Sequence, residues 1–320
     1  MRWQNPPKAD VLIPVYKPGK RFARLLQMLQ KQTYKVNRII VMNTEKRYWN
    51  EDGYKTVRGL EVHHVSKAEF DHGDTRNRAA GYSSADVMIF MTDDAVPYDK
   101  YLVEKLIKAL EQEGCQGQQA AMAYARQLPD KDCRTIERHT RDFNYPGQGM
   151  VKTINDLPKL GIKTYFASNV CCAYRRDIFV KNGGFVDRAI FNEDMVYAAG
   201  VLKAGYAVVY EAEAKVIHSH NLPPVGQFRR NFDLAVSQAE HPEVFSGLPS
   251  EGEGIRLVED TAAWLLRTGR FWLLPSLVIG SGCKYAGYRM GKIYKKLPGA
   301  MILRCTGNKE YWKKKWGMQA

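Results

Sequence analysis

The sequence predicts an α/β protein whose first half is of nucleotide-binding type. Three observations predict it. Asp10–Val15, the amphipathic stretch after Gly19 and Arg38–Met42 follow one another at the spacing of a right-handed, parallel strand–helix–strand unit. Val87–Met91 is an apolar run short enough for a buried strand. That run is followed at once by Thr92, Asp93 and Asp94, where an open α/β sheet presents its chemistry at the carboxyl ends of its strands.

The elements follow in order. Asp10–Val15 reads as a strand stopped by Pro18-Gly19, and Phe22, Leu25, Leu26 and Leu29 fall on one face of the next helix. Arg38–Met42 and Leu60–Val65 are the second and third strands. Pro97 ends the run that carries the aspartates, because it cannot continue a central strand. Lys100–Glu113 is a helix with Val103, Leu106, Ile107 and Leu110 inward, and Ala120–Ala125 is another strand. Arg126–Lys163 has no steady period and is either a surface loop or an excursion that shapes an acceptor site. Tyr165–Tyr174 returns to strand character, Gly183-Gly184-Phe185 marks a tight turn, and Phe191–Asp194 leads into a helix through Ala204. Ala207–Tyr210 and Ala214–His218 read as two short strands. There are no internal repeats and no low-complexity segment.

Composition narrows the class. The chain has 320 residues, 45% of them hydrophobic, enough to bury a sizeable core. Its net charge of +14 is uneven: residues 255–320 hold 13 Lys and Arg against 3 Asp and Glu, while the first 254 residues hold 35 against 31. The opening MRWQNPPKAD has no apolar region of the kind a secretory signal carries. The longest apolar stretch, Phe271–Cys283, is too short to span a bilayer and contains Pro275. Six cysteines without paired spacing indicate reduced, buried thiols in a cytoplasmic protein, with neither a disulfide framework nor a zinc site. Neither GxGxxG nor a P-loop occurs, which argues against a dinucleotide dehydrogenase or a P-loop kinase.

The chemistry centres on the acids. Asp93 and Asp94 make a hard oxygen site suited to Mg²⁺ or Mn²⁺ shared with a diphosphate, or else cap the following helix. Arg76 and Asn77 begin a helix after a glycine-containing turn, where a guanidinium suits the oxygens of a base or diphosphate, or is merely solvated charge. Four motifs in order, HGDTRN (His72–Asn77), TDDA, NGGF followed by NED (Asn182–Asp194) and VIHSH (Val216–His220), resemble family 2 glycosyltransferases with the A-type fold. The closer resemblance is to the bacterial rhamnosyltransferases of polysaccharide assembly, which carry a similar HGxTRN stretch and a similar basic tail. It covers essentially the whole chain.

The resemblance implies an A-type glycosyltransferase fold, a Rossmann-like, mixed but mainly parallel sheet flanked by helices. It implies a catalytic domain at 1–245, with a nucleotide-sugar half to about 125 and an acceptor half beyond, and a basic amphipathic helical region at 246–320. Asp94 and His218 become the metal ligands, with Mn²⁺ or Mg²⁺ neutralising the departing diphosphate; for His218 the alternative is a satisfied core histidine. His220 is expected to be a neighbour rather than a ligand. Asp93 would reach the ribose, or the metal through water. Pro14 and Tyr16 would seat the nucleotide base and His72 would contact the pyrophosphate. Asp194 matches the general base, at a helix N-terminus that favours a carboxylate, where an acid is also ordinary capping; Glu193 would orient the acceptor or pair with a cation. Many relatives place an aspartate after the second strand, and here that position is Asn43, which still donates and accepts hydrogen bonds.

The implied reaction is inverting transfer of L-rhamnose from dTDP-β-L-rhamnose to a lipid-linked saccharide at the inner face of the cell membrane. A UDP-hexose donor is the alternative within the fold. A non-catalytic basic protein binding membrane or nucleic acid is the alternative outside it. Tryptophans and leucines from Trp264 to Leu274 followed by Lys284–Lys296, and Tyr311–Trp316, suit an anionic membrane surface. They equally suit a helical subdomain packed on the body with a solvated basic face. Nucleic acid is not expected, because no aromatic stacking platform accompanies the charge.

Overall fold

The computed structural model describes residues 3–248 and 251–318. Its strands and helices run β1 (Ala9–Tyr16), α1 (Lys20–Gln30), β2 (Arg38–Thr44), β3 (Leu60–Val65), α2 (His72–Tyr82), β4 (Val87–Met91), β5 (Val96–Pro97) and α3 (Leu102–Ala109). They continue with β6 (Ala120–Leu128), α4 (Thr135–Asn144), β7 (Met150–Lys152), α5 (Leu157–Leu160), β8 (Cys171–Arg175), α6 (Arg176–Lys181), α7 (Glu193–Lys203) and β9 (Ala207–Ile217). The rest is helical: α8 (Pro224–Glu240), α9 (Pro242–Phe245), α10 (Glu251–Arg267), α11 (Leu274–Lys292), α12 (Gly299–Cys305) and α13 (Lys309–Lys315).

One sheet runs through the molecule in the order β3-β2-β1-β4-β8-β6-β9-β5, with β7 also paired to β9. The first four strands are parallel and β8 is antiparallel to both its neighbours. Both faces are covered, which is why the central strands are near-continuous apolar runs. In β1 the side chains alternate: Leu12 joins one core layer with Phe90 and Tyr174, while Val11 and Ile13 join the other with Phe22, Leu25 and Leu26 of α1.

Four segments differ from the sequence expectation. Arg126–Lys163, read as a loop or excursion without a steady period, carries the end of β6 and then α4, β7 and α5. The helix expected at Lys100–Glu113 shortens to α3. The strand expected from Tyr165 begins only at Cys171, because Ser168 and Asn169 turn their polar groups toward Gln127, Glu193 and Asp194 instead of a ladder. The two short strands from Ala207 are one strand, β9, whose pairing with β6 jumps between Glu211 and Lys215. That bulge lets the polar stretch EAEA sit within a continuous strand.

The C-terminal helices pack on the body. Phe232 and Val236 of α8 share a core with Ile302, Tyr311 and Trp312. Helix α11 lies along α8, with Gly287 and Gly291 facing the Phe228 and Phe232 carbonyls so closely that an added Cβ would lie 2.2 and 2.3 Å from them. His139 of α4 stacks on Trp264 of α10, with ring centroids 4.3 Å apart, and bonds Asp260 at 2.8 Å.

Candidate active site

The carboxyl end of β4 delivers Asp93 and Asp94 beside the end of β1, where the Tyr16 N–H reaches Asp93 Oδ2 at 3.4 Å. Burial first, and the adjacent Asp94 charge second, push the Asp93 carboxyl up to about 6. Tyr16 is exposed, its ring edge-on to Tyr48 at 5.6 Å, with the Lys17 amino group over both rings. Pro14 lies within β1, opposite Met42 of β2. Asn43 is fully buried, and its amide nitrogen lies 3.1 Å from the Glu45 carbonyl and 3.0 Å from His64 Nδ1, so it braces the turn after β2.

Across the sheet, β9 ends at Ile217 and the chain continues as His218-Ser219-His220. Both rings turn toward Asp94: His218 Nε2 is 3.5 Å from Oδ1 and His220 Nε2 is 3.3 Å from Oδ2. The structure thus brings His220 as close as His218, where the sequence had made it a bystander. The three side chains offer ligand atoms all within 4.8 Å of one another.

The tautomer of His218 follows from its other nitrogen. Nδ1 is 2.9 Å from Gln127 Oε1, and Arg141, a donor only, also bonds that oxygen. The Gln127 nitrogen faces Tyr145 Oη at 2.6 Å and Ser168 Oγ at 2.9 Å. Oε1 is therefore the acceptor, Nδ1 carries the proton, and the Nε2 lone pair points at Asp94. Burial drives the His218 ring down to about 3 and lowers His220 too, so both are neutral. One carboxylate and two neutral imidazoles fit a divalent transition ion, Mn²⁺ better than the oxygen-seeking Mg²⁺.

A second acidic pair lies at the start of α7. Asp194 Oδ2 accepts the Asn169 N–H at 2.9 Å and Oδ1 accepts the Met195 N–H at 2.8 Å. Burial and then the Glu193 charge push Asp194 up to about 7. Burial works against ionising Glu193 as well, but Arg76 at 3.2 Å and the nearby His72 outweigh it and hold its carboxyl below the usual range. The two neighbours therefore separate into an ionised partner and a carboxyl poised near neutrality, the condition for a general base. The Asn169 side chain donates to Glu193 at 3.1 Å, so one residue holds both acids. The Thr92 N–H donates to the Val170 carbonyl at 3.1 Å, which ties this loop to the aspartates after β4.

The HGDTRN and NGGF motifs lock onto each other. Gly73 passes under the Val186 carbonyl so closely that a Cβ would lie 2.0 Å from it. The Asn77 amide donates to the Phe185 carbonyl at 2.8 Å and accepts its N–H at 2.9 Å, beside Gly184 at φ 72°. Arg76 is buried, bonded to the His72 carbonyl at 2.8 Å and paired with Glu193, so its visible role is to set the charge of the acid pair. His72 lines a neighbouring cleft that Arg230 lines too. Sequence reasoning passed over Gln127, Arg141, Asn169 and Arg230, none of which sits in a recognisable motif. For His220 a signal was present, since side chains two apart on an extended chain share a face.

Comparison with known proteins agrees with this geometry. Residues 10–183 match the family described as Glycosyl transferase family 2. The O-antigen chain rhamnosyltransferase RfbN of Salmonella typhimurium is 35% identical over 309 residues, covering 95% of this chain and 96% of the relative. WbaN of Salmonella anatum, an O-antigen chain rhamnosyltransferase, is 34% identical over 314 residues, covering 96% of each. Among solved structures, the mannosyltransferase PcManGT from Pyrobaculum calidifontis, in complex with GDP-Man and Mn²⁺, aligns with a TM-score of 0.60 at 14% identity, over 92% of this chain and 89% of that one. Residues 1–349 of S. aureus TarS align with a TM-score of 0.52 at 15% identity, over 90% and 91%. These two likenesses show the A-type fold. The chain belongs to glycosyl transferase family 2 and is a glycosyltransferase.

Proposed function

We propose that the protein moves L-rhamnose from dTDP-β-L-rhamnose, with inversion, onto a lipid-linked saccharide in the assembly of a cell-surface polysaccharide. The observation that carries the reading is the convergence of Asp94, His218 and His220 in a fold that also presents Asp194 poised near neutrality. The two rhamnosyltransferases, related over nearly their whole length, favour rhamnose as the sugar.

In this reading Asp94, His218 and His220 hold Mn²⁺, which supplies positive charge to the departing diphosphate. Tyr16, with Pro14 and Asn43 behind it, seats the base, and Asp93 lies on the ribose side. Asp194 takes the proton from the acceptor hydroxyl as that oxygen bonds to the anomeric carbon. The bond from carbon to the diphosphate oxygen breaks, dTDP leaves with the electron pair, and the configuration inverts from β to α. Glu193, held ionised by Arg76, keeps the Asp194 carboxyl high enough to accept that proton.

The catalytic region in this reading is 1–245, and 246–320 meets the membrane. Among the described residues no helix is long and apolar enough to cross a bilayer. Leu266, Phe271, Trp272, Val278 and Ile279 are each more than half exposed. From 261 to 309 the chain has nine Lys and Arg and no Asp or Glu. Exposed apolar residues in a segment rich in cations and without acids suit an anionic leaflet.

The test is donor turnover with dTDP-β-L-rhamnose, UDP-glucose and UDP-galactose, each with Mn²⁺ or with EDTA. Release of dTDP from the first donor alone, abolished by EDTA, is expected. Turnover of a UDP-hexose in its place, or indifference to EDTA, overturns the proposal.

A further inference from the structure

The cleft beside the acid pair has one wall that the first 245 residues do not supply. It measures about 460 Å³, within the range of small-molecule sites. Phe70, His72, Phe191 and Leu222 line it, and Arg230, which lines it too, is close enough for its charge to act on Asp194, His218 and His220. Gly307 and Asn308, from the turn between α12 and α13, and Glu310, from the first turn of α13, line it as well.

That turn is fixed rather than draped. Asp233, buried on α8 one helical turn after Arg230, accepts the Thr306 hydroxyl at 2.6 Å and the Gly307 N–H at 2.8 Å. Asn308 Oδ1 accepts the Tyr311 N–H at 3.1 Å, and among the described residues its Nδ2 meets no acceptor. Glu310 is held by Lys313 at 3.1 Å with a carboxylate oxygen to spare. Three cations, Lys67, Arg229 and Arg230, line the same cleft with two carboxylates, Asp233 and Glu310; among the described residues none of the three lies within 4.0 Å of a carboxylate, and Arg229 acts on Asp233 from farther away. The Arg230 guanidinium lies over the Phe191 ring at 4.9 Å.

We propose that this cleft binds the acceptor as a glycosyl phosphate, with the C-terminal turn as its outer wall. The sugar ring rests against Phe70 and Phe191, its hydroxyls meet Asn308 and Glu310, and its anomeric phosphate meets Lys67, Arg229 and Arg230. A neutral sugar would not call for three cations at an opening whose two carboxylates are already held by Thr306, Gly307 and Lys313. A bare phosphate would not call for aromatic rings and a planar amide. The assignment rests on the reading of the acceptor as a lipid-linked saccharide, whose sugar is joined to the lipid through phosphate.

The test uses the full-length protein and two matched panels: the 1-phosphates and the methyl α-glycosides of D-galactose, D-glucose, D-mannose and N-acetyl-D-glucosamine. Saturation-transfer NMR and calorimetry are expected to show at least one 1-phosphate binding, and its methyl glycoside binding tenfold or more weakly. Asn308→Ala and Lys67→Gln should each weaken that binding at least fivefold, leaving the affinity for dTDP with Mn²⁺ unchanged. The proposal is overturned if no 1-phosphate binds, if the methyl glycoside or inorganic phosphate binds as well, or if neither substitution matters. Wild-type protein that binds dTDP with Mn²⁺ but no glycosyl phosphate sinks this inference alone. Protein that binds a glycosyl phosphate but not dTDP sinks the donor reading and leaves this one standing.

Discussion

Nδ1 of His218 lies 2.9 Å from Oε1 of Gln127, and that contact decides which nitrogen of the ring is free to bind a metal. Partners behind a ligating histidine fix its tautomer and its orientation, and their loss costs about 10- to 100-fold in metal affinity. Gln127→Leu is therefore expected to weaken Mn²⁺ binding by roughly tenfold or more. Calorimetric or EPR titration checks it, and an unchanged affinity would remove Gln127 from the site.

His220→Ala should weaken Mn²⁺ about as much as His218→Ala, since both rings face Asp94 at similar distance. If only His218→Ala matters, the ion has two protein ligands here rather than three.

Asp194 must be ionised to accept a proton, and burial with the Glu193 charge lifts it to about 7. A raised carboxyl is increasingly protonated below that value, so kcat/KM should fall as pH drops through about 7. Asp194→Asn should lose about 10²- to 10⁴-fold in transfer, keep its affinity for dTDP with Mn²⁺, and show no such limb. A limb that survives in the variant assigns it to another group.

Arg76 and Glu193 are a buried pair, with side chains 6% and 8% exposed. Arg76→Met strands a buried carboxylate and is expected to cost about 3–5 kcal/mol, read from urea denaturation. Arg76 also lowers the Asp194 carboxyl, so the acid limb of whatever activity remains should move to higher pH. Unchanged stability would mean that Glu193 is already neutral.

Two glycines of α11 should respond with opposite sign. At Gly287 an added Cβ would meet the Phe228 carbonyl at 2.2 Å, whereas at Gly282 nothing lies within 4 Å. Gly287→Ala is expected to destabilise by about 1–3 kcal/mol and Gly282→Ala to stabilise by up to about 1 kcal/mol. Melting curves of the two variants check both.

Replacing Phe271 and Trp272 together with serine should release the protein from vesicles containing anionic lipid while sparing dTDP turnover in solution. Co-sedimentation with phosphatidylglycerol vesicles reads this, and full retention would place the membrane contact elsewhere.

Much of the fold was legible because strands buried on both faces announce themselves. Val87–Met91 has the bounds read from its sequence, and Phe22, Leu25, Leu26 and Leu29 are the residues α1 buries. The candidate site was legible only where its residues end a strand or start a helix, as Asp94, His218 and Asp194 do. Gln127 was not, because its role comes from Ser168 and His218, 41 and 91 positions away, and a lone glutamine carries no period. Asn169 was hidden by the strand pattern around it. The part of Asn77 was hidden for a different reason: its chemistry suits a ligand as well as it suits the backbone of Phe185.

The glycine-to-carbonyl contacts set α11 backbone against backbone on α8, so α11 cannot slide along it without losing them. With the apolar end of the tail resting in a bilayer, the catalytic pocket would stand at one constant height above the lipid. On the membrane reading proposed above, transfer would then depend on how far the acceptor's terminal hydroxyl stands from the lipid.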